Sequence, residues 1–133
     1  MKPVKNGSRD VKPMSGKMKA SSAKAKGRRW QQKVVQYILE TFPDLEPDDV
    51  RSTPMGCSGE DVWLSPKAQR VFDCSVECKN QERPSLRKSW EQAVSNSGDR
   101  NPLLFTTWNR GDELVTMRAS QFFKLLGDKN ESI

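Results

Sequence analysis

The sequence contains no histidine among its 133 residues. That absence excludes histidine-based catalytic triads, histidine general bases and histidine metal ligands. Three cysteines are present, Cys57, Cys74 and Cys78, and no two of them form a Cys-x-x-Cys pair. We therefore expect neither a disulfide framework nor a zinc site, which fits a reducing cytoplasm.

Long apolar segments are also lacking. No run approaches the ~18 consecutive apolar residues that a transmembrane helix needs, and hydrophobic residues make up only 34% of the chain. The basic N-terminal stretch has no apolar segment behind it, so we expect no secretory signal. The sequence thus predicts a cytoplasmic protein with no membrane partner.

Positive charge is concentrated near the N-terminus. Residues 1–29 hold ten lysines and arginines against one acid, Asp10, whereas residues 30–133 hold 13 basic and 16 acidic residues. Residues 1–25 are rich in Lys, Ser, Gly and Ala, and we predict a disordered arm there, followed by one folded domain over 26–133. A basic arm on a near-neutral body is frequent in proteins that bind nucleic acids, and a solubilising tail is the alternative.

The spacing of apolar residues predicts a mixed fold. A helical spacing runs from about Gly27 to Phe42. Strands are predicted at 50–53, 61–64 and 74–79, then a helix over "RPSLRKSWEQAVSN", strands at "LLFTT" and "ELVTM", and a short helix at "ASQFFKLL". This order is typical of an α/β domain with a mixed sheet flanked by helices. In the first helix Gln31 falls on the apolar face, so it is either a satisfied core amide or a residue that points into a site.

Two carboxylates and a lysine occupy neighbouring predicted strands. Asp61 begins one strand, and Glu77 and Lys79 share one face of the next. If these strands pair, the carboxylates converge, and with the backbone carbonyl of Cys78 they offer the oxygen ligands that Mg²⁺ prefers. Lys79 would then orient or deprotonate a metal-bound water, as phosphodiester hydrolysis requires. The alternative is a surface salt bridge, since Glu-x-Lys triplets are frequent on solvated strands.

Four short segments carry a family resemblance. "ECK" at 77–79, preceded by "SGED" at 58–61, resembles the PD-(D/E)XK nuclease superfamily, and within it the Holliday-junction resolvases and related small phage endonucleases. "KGRRWQ" at 26–31 resembles the Lys-Gly opening of those resolvases, and "RST" at 51–53 resembles their Arg-Ser segment. The chain departs from the pattern at two positions. Gln31 stands where the resolvases have a glutamate, and Glu60 stands in place of a proline.

The resemblance, which covers roughly residues 26 to 120, implies a restriction-endonuclease-like core of order αβββαβ and a Mg²⁺-dependent DNA endonuclease. Mn²⁺ would substitute for Mg²⁺. Asp61 and Glu77 would be metal ligands together with the carbonyl of Cys78, and Lys79 would be the catalytic lysine. Gln31 would be an auxiliary ligand or position a water. Because glutamine carries no charge, it weakens the case for a second metal ion.

The resemblance also implies a substrate and an assembly. Branched DNA such as a Holliday junction, cut during phage recombination or packaging, would be bound by a homodimer, in the host cytoplasm if a phage encodes the chain. The alternatives are a restriction-like, flap or nicking nuclease on the same fold, and a non-catalytic nucleic-acid-binding protein.

Seven polar residues near these segments are expected to contact DNA. Phosphate contacts by such residues give affinity without reading sequence. They are Arg51, Ser52, Ser58, Asn80, Arg83, Arg87 and Lys88. Each of them, taken alone, is more typical of ordinary polar surface.

Overall fold

The computed structural model describes residues 20–54, 57 and 59–131. Within those residues the helices are α1 (Ala20–Thr41), α2 (Pro66–Val71), α3 (Leu86–Ser97) and α4 (Ala119–Glu131). The strands are β1 (Val50–Ser52), β2 (Val62–Leu64), β3 (Cys74–Asn80), β4 (Asn101–Thr107) and β5 (Leu114–Thr116). A single 3₁₀ turn, Pro47–Asp49, leads into β1. The mixed α/β class predicted from the sequence is confirmed.

The strands divide into two sheets that meet at one residue. β3 and β4 are parallel, with Cys74 opposite Asn101, and β5 is antiparallel to β4. β1 and β2 form a separate antiparallel pair. The backbone N–H of Asp61, just before β2, donates to the carbonyl of Val76 in β3 at 2.9 Å. Both sheets therefore come together at the open edge of β3, and the mixed pairing that the sequence predicted is present.

β3 is covered on both faces. On one face Trp30, Val34 and Ile38 of α1 pack with Val76 and Cys78 in the hydrophobic core. The other face carries buried Ser75 and Glu77, and α3 packs over it with Ser89, Ala93 and Ser97 buried. The predicted alternation along β3 is therefore confirmed, and its polar face is buried as well. Each fully buried aliphatic side chain here contributes about 1.5–3 kcal/mol.

Three helices differ from the sequence prediction. α1 begins at Ala20, so residues 20–25 of the predicted arm are helical, while residues 1–19 lie outside the described residues. The segment "ASSAKAKG" is rich in Ala and Lys, which favour helix once a longer helix continues from them. α2 lies between two predicted strands, where no helix was predicted, and Ser65 caps it by accepting from the N–H of Ala68, with proline in the first turn. α4 continues through Gly127, where an end was expected.

No helix among the described residues is long and apolar enough to cross a membrane.

Truncation of Leu104 in β4 is expected to destabilise the domain strongly. Leu104 is fully buried in the central strand of the larger sheet, and Leu→Ala changes at such sites lower the free energy of unfolding by about 2–5 kcal/mol. Leu114 in β5, 47% exposed, is the matched control, and Leu114→Ala should cost about 1 kcal/mol or less. Urea unfolding of both variants measures the difference. Equal losses would show that the burial of Leu104 does not contribute the expected stability.

Candidate active site

Asp61 is fixed against the open edge of β3 by two backbone contacts. Besides the bond from its own N–H to Val76, its Oδ2 accepts the N–H of Cys78 at 2.7 Å. In an extended strand the N–H and C=O of one residue point to the same edge. The carbonyl of Cys78 therefore faces the side on which the Asp61 carboxylate lies, as the predicted set of oxygen ligands requires.

Glu77 lies in the middle of β3 and is only 2% exposed. Its Oε1 accepts a hydrogen bond from the side-chain amide of Asn96 in α3 at 3.3 Å, and its Oε2 lies 3.9 Å from Nζ of Lys79. Lys79 is more accessible, with 23% of its side chain exposed. The acid and the amine therefore stand side by side, with the amine nearer the solvent.

Burial makes the charged form of both carboxylates unfavourable. Burial raises the pKa of Glu77 to about 7, and the negative charge of Asp61 adds to this rise. The hydrogen bond from Asn96 and the charge of Lys79 oppose it to a smaller extent. Burial also raises the pKa of Asp61, against the opposing effects of the Cys78 N–H and Lys79. A bound divalent cation would reverse this cost, because it favours the ionised form of both groups.

The donor set fits magnesium better than metals that need a full protein cage. Among residues 20–54, 57 and 59–131, no three or more His, Cys, Asp or Glu side chains converge to hold a metal ion. Asp61, Glu77 and the carbonyl of Cys78 remain as candidate ligands. Mg²⁺ is commonly bound through one or two carboxylates while it keeps several waters or takes substrate phosphate oxygens.

Gln31 is buried in α1, with 5% of its surface exposed. Its Oε1 accepts a hydrogen bond from the hydroxyl of Ser52 at 2.6 Å. α1 packs on the face of β3 that carries Val76 and Cys78, whereas Glu77 points towards α3. This contact is the one expected of a satisfied core amide, and a role for Gln31 at a metal stays a prediction.

Two of the three predicted DNA contacts that precede β2, Arg51 and Ser52, contact other protein side chains. The guanidinium of Arg51 stacks 4.5 Å from the centre of the Trp63 ring. Ser52 donates to Gln31, and Ser58 lies outside the described residues. Arg51 is exposed, so it can reach a phosphate, while Ser52 mainly positions Gln31.

The predicted DNA contacts that follow β3 lie at one end of the sheet. Arg83, Arg87 and Lys88 are exposed around the start of α3, and Arg87 pairs with Glu91 at 3.3 Å. α3 connects two parallel strands, so its N-terminus lies at the end of the sheet where Lys79 stands. Asn80, the last residue of β3, belongs to the same end. These residues therefore place positive charge beside the candidate site.

The contacts of Asn96 and of Glu60 were not predicted from the sequence. Asn96 holds Glu77, but a lone asparagine near the end of an amphipathic helix carries no signal for that contact. The carboxylate of Glu60 accepts hydrogen bonds from Arg100 and from Ser75. Arg100 also donates to the carbonyl of Cys74 at 2.9 Å. Glu60 thus ties the loop before β2 to β3.

No protein-family model, curated protein or solved structure matches the chain.

Proposed function

We propose that this protein is a Mg²⁺-dependent endonuclease that hydrolyses phosphodiester bonds of DNA. The observation that carries the proposal is the grouping of Asp61, Glu77 and Lys79 at the open edge of β3. The two carboxylates lie close enough for the charge of one to raise the pKa of the other, and the amine lies 3.9 Å from Glu77. A surface salt bridge, the alternative, does not account for a glutamate that is 2% exposed.

Within the mixed α/β class, we propose that the fold is a restriction-endonuclease-like core. Leaving aside the short α2, the elements follow the order αβββαβ from α1 to β4. The parallel pair β3–β4, joined by α3, and the antiparallel pair β1–β2 support this assignment. The order and the pairing agree with the resemblance to PD-(D/E)XK nucleases carried by "ECK" and "SGED".

The chemistry assigned to the site needs one metal ion, three protein ligands and one lysine. Mg²⁺, when bound, would polarise the phosphate and lower the pKa of a bound water. Asp61 and Glu77 would hold the ion, with the carbonyl of Cys78. The water gives a proton to solvent as its oxygen bonds to phosphorus, and the departing deoxyribose oxygen takes a proton from solvent as its P–O bond breaks. The Lys79 ammonium would stabilise the negative charge that builds on the phosphate oxygens in this step.

Branched DNA is the substrate that we favour, with Holliday junctions processed by a homodimer as the specific case. A two-fold symmetric substrate matches a two-fold symmetric dimer. The exposed cations around the start of α3 suit phosphate contacts that read shape and not sequence. A role in phage recombination or packaging follows from the resemblance alone.

Cleavage of three labelled DNAs tests the proposal. A four-way junction, a flap and a linear duplex of the same sequence are compared in Mg²⁺, in Mn²⁺ and in EDTA. We expect the junction to be cut at least about tenfold faster than the duplex with either metal, a discrimination of ~1.4 kcal/mol, and no cutting in EDTA. Equal cutting of all three DNAs would discard the junction preference but keep the nuclease. Binding without cutting in both metals would favour the non-catalytic nucleic-acid-binding protein.

A further inference from the structure

A groove of about 500 Å³ lies between the first half of α1 and the turn that joins β4 to β5. Its wall is polar and positively charged, and we call it the Trp108 groove. The residues that define it are Lys26, Arg29, Lys33, Asn80, Trp108 and Arg110. Asn80 directly follows Lys79 in β3, so the groove opens at the end of the strand that carries the candidate catalytic lysine.

The charge of the groove selects an anionic ligand. Four cationic side chains line it, and among the described lining residues Glu113 is the one carboxylate. Glu113 pairs with Lys33 and accepts from the hydroxyl of Tyr37, and Lys26 pairs with Glu82 at 3.5 Å. Arg29 and Arg110 have no carboxylate partner among the described residues and supply the free positive charge of the groove. Arg29 and Arg110 are exposed at the rim. The basic N-terminal segment of this chain would be repelled by the groove, whereas a phosphate backbone would be attracted.

The indole ring of Trp108 lines the groove and is fixed in position by the turn that carries it. The indole is 37% exposed, and it packs directly against Gly111, where an added Cβ would come within 2.0 Å of the ring. The turn is closed by a hydrogen bond from the N–H of Gly111 to the carbonyl of Trp108 at 3.0 Å. Arg110 takes a left-handed φ of 56° in this turn, a conformation that persists where the surroundings impose it. A ring held in this way offers a platform for a planar group.

The side-chain oxygen of Asn80 has no hydrogen-bond donor in the described part of the chain, and a ligand could supply one. This atom, Oδ1, is buried and has no hydrogen-bond partner among the described residues. An amide oxygen accepts hydrogen bonds only, so a bare phosphate or a carboxylate cannot satisfy it. A nucleobase can, because the amino group of adenine or cytosine is a donor. The ligand indicated by the groove is therefore anionic, planar and equipped with N–H donors.

We propose that the Trp108 groove binds an unpaired nucleotide of DNA. The base stacks on Trp108 and turns its amino edge to Asn80, and the neighbouring phosphates lie beside the exposed Arg29 and Arg110. Binding at the groove does not depend on the proposed nuclease activity. Asn80 follows Lys79 in the chain, so the bound nucleotide would lie beside the scissile phosphate, and that last placement rests on the proposed nuclease function.

The test is fluorescence anisotropy with the full chain in EDTA, so that cleavage plays no part. The probes are a labelled single-stranded oligo-dA and a linear duplex of equal length. Trp108→Ala should weaken binding of the single strand roughly tenfold or more, since base stacking on one aromatic ring accounts for an effect of that size. Trp108→Phe should retain most of the affinity. Duplex binding should change less than about threefold in both variants, because paired bases are not free to stack on the ring.

Two further variants complete the design. Asn80→Leu removes the amide oxygen and should weaken oligo-dA binding several-fold. Phe123→Ala, on the exposed side of α4 and 66% exposed, is the aromatic control and should change nothing.

Unchanged single-strand binding in Trp108→Ala overturns the proposal, as does an equal loss for duplex and single strand. Absence of cleavage by the wild type in Mg²⁺ would refute the nuclease while leaving these binding results intact.

Discussion

Replacement of Lys79 by alanine is expected to lower Mg²⁺-dependent DNA cleavage by about a hundredfold to a thousandfold while DNA binding is retained. Nζ of Lys79 lies 3.9 Å from Glu77, and 23% of the lysine side chain is exposed, so it can contact a bound phosphate. Loss of one preorganised group that stabilises charge in a transition state costs a factor of this size. Single-turnover cleavage at saturating enzyme measures the rate, and anisotropy measures binding.

Lys88→Ala is the matched control for this change. Lys88 is an exposed lysine in the first turn of α3, so its removal should weaken binding modestly and leave the single-turnover rate unchanged. The proposed role of Lys79 is wrong if Lys79→Ala cuts at the wild-type rate, or if Lys88→Ala loses as much activity.

Comparison of Asp61→Asn with Lys79→Ala distinguishes loss of metal binding from loss of the catalytic lysine. An asparagine oxygen can still accept the N–H of Cys78, so the edge of β3 keeps its contact. The variant should lose Mn²⁺ binding measured by electron paramagnetic resonance, because one of two carboxylate ligands has lost its charge. Lys79→Ala should keep that binding. Equal Mn²⁺ affinity in Asp61→Asn and wild type would remove Asp61 from the ligand set.

A second large effect concerns pH and Glu77. Lowering the pH from about 8 to about 5.5 should stabilise the metal-free protein. The folded-state pKa of Glu77 is about 7, above its ordinary value of 4.5. Between these two values the folded protein binds more protons than the unfolded chain, so the free energy of unfolding falls as the pH rises. At about 1.4 kcal/mol for each pH unit, the change from about pH 8 to about pH 5.5 is about 2 kcal/mol of a full effect of about 3.5 kcal/mol. Asp61 acts in the same direction.

Glu77→Gln isolates this effect. The glutamine can still accept the hydrogen bond from Asn96, but it does not titrate. Urea unfolding of both proteins at the two pH values should show a smaller gain at low pH for the variant. Asp49 and Glu113 have lowered pKa values, so their contributions are lost below this window and do not confuse the comparison. A variant with the pH dependence of the wild type would contradict the account of Glu77.

Stabilisation of the fold by Mg²⁺ should increase with pH, because Mg²⁺ binds the ionised form of Glu77. A ligand that binds only the folded state raises its melting temperature, and Mg²⁺ requires Glu77 to be ionised. Added Mg²⁺ should therefore raise the melting temperature at about pH 8 and have little effect at about pH 5.5. In Glu77→Gln the increase at the higher pH should be largely lost.

The local part of this fold could be predicted from the sequence. The period-two pattern of β3 placed Glu77 and Lys79 on one face and Val76 and Cys78 on the other, as observed. Strand alternation is a property of the backbone, so it needs no information about the partners. Helical periodicity is likewise a property of the backbone, so the spacing of Trp30, Val34 and Ile38 was enough to predict α1.

The partners of these elements could not be predicted, because they depend on contacts between distant segments. Asn96 reaches Glu77 only after α3 has packed on β3, and Asp61 reaches Cys78 only after β2 has come to the edge of that strand. Gln31 shows the same limit. The helical spacing predicted that Gln31 lies on the apolar face of α1. Whether it is a site residue or a hydrogen-bonded core amide could be decided only from the position of Ser52 in the fold.

The most direct test of the central claim is cleavage of a labelled four-way junction by the wild type and by the Asp61→Asn/Lys79→Ala double variant, in Mg²⁺ and in EDTA. We predict that the wild type cuts only with Mg²⁺, and that the double variant binds the junction without cutting it. Cleavage by the double variant at the wild-type rate would contradict the assigned site. A wild type that binds and never cuts, with Mg²⁺ or Mn²⁺, would contradict the nuclease itself.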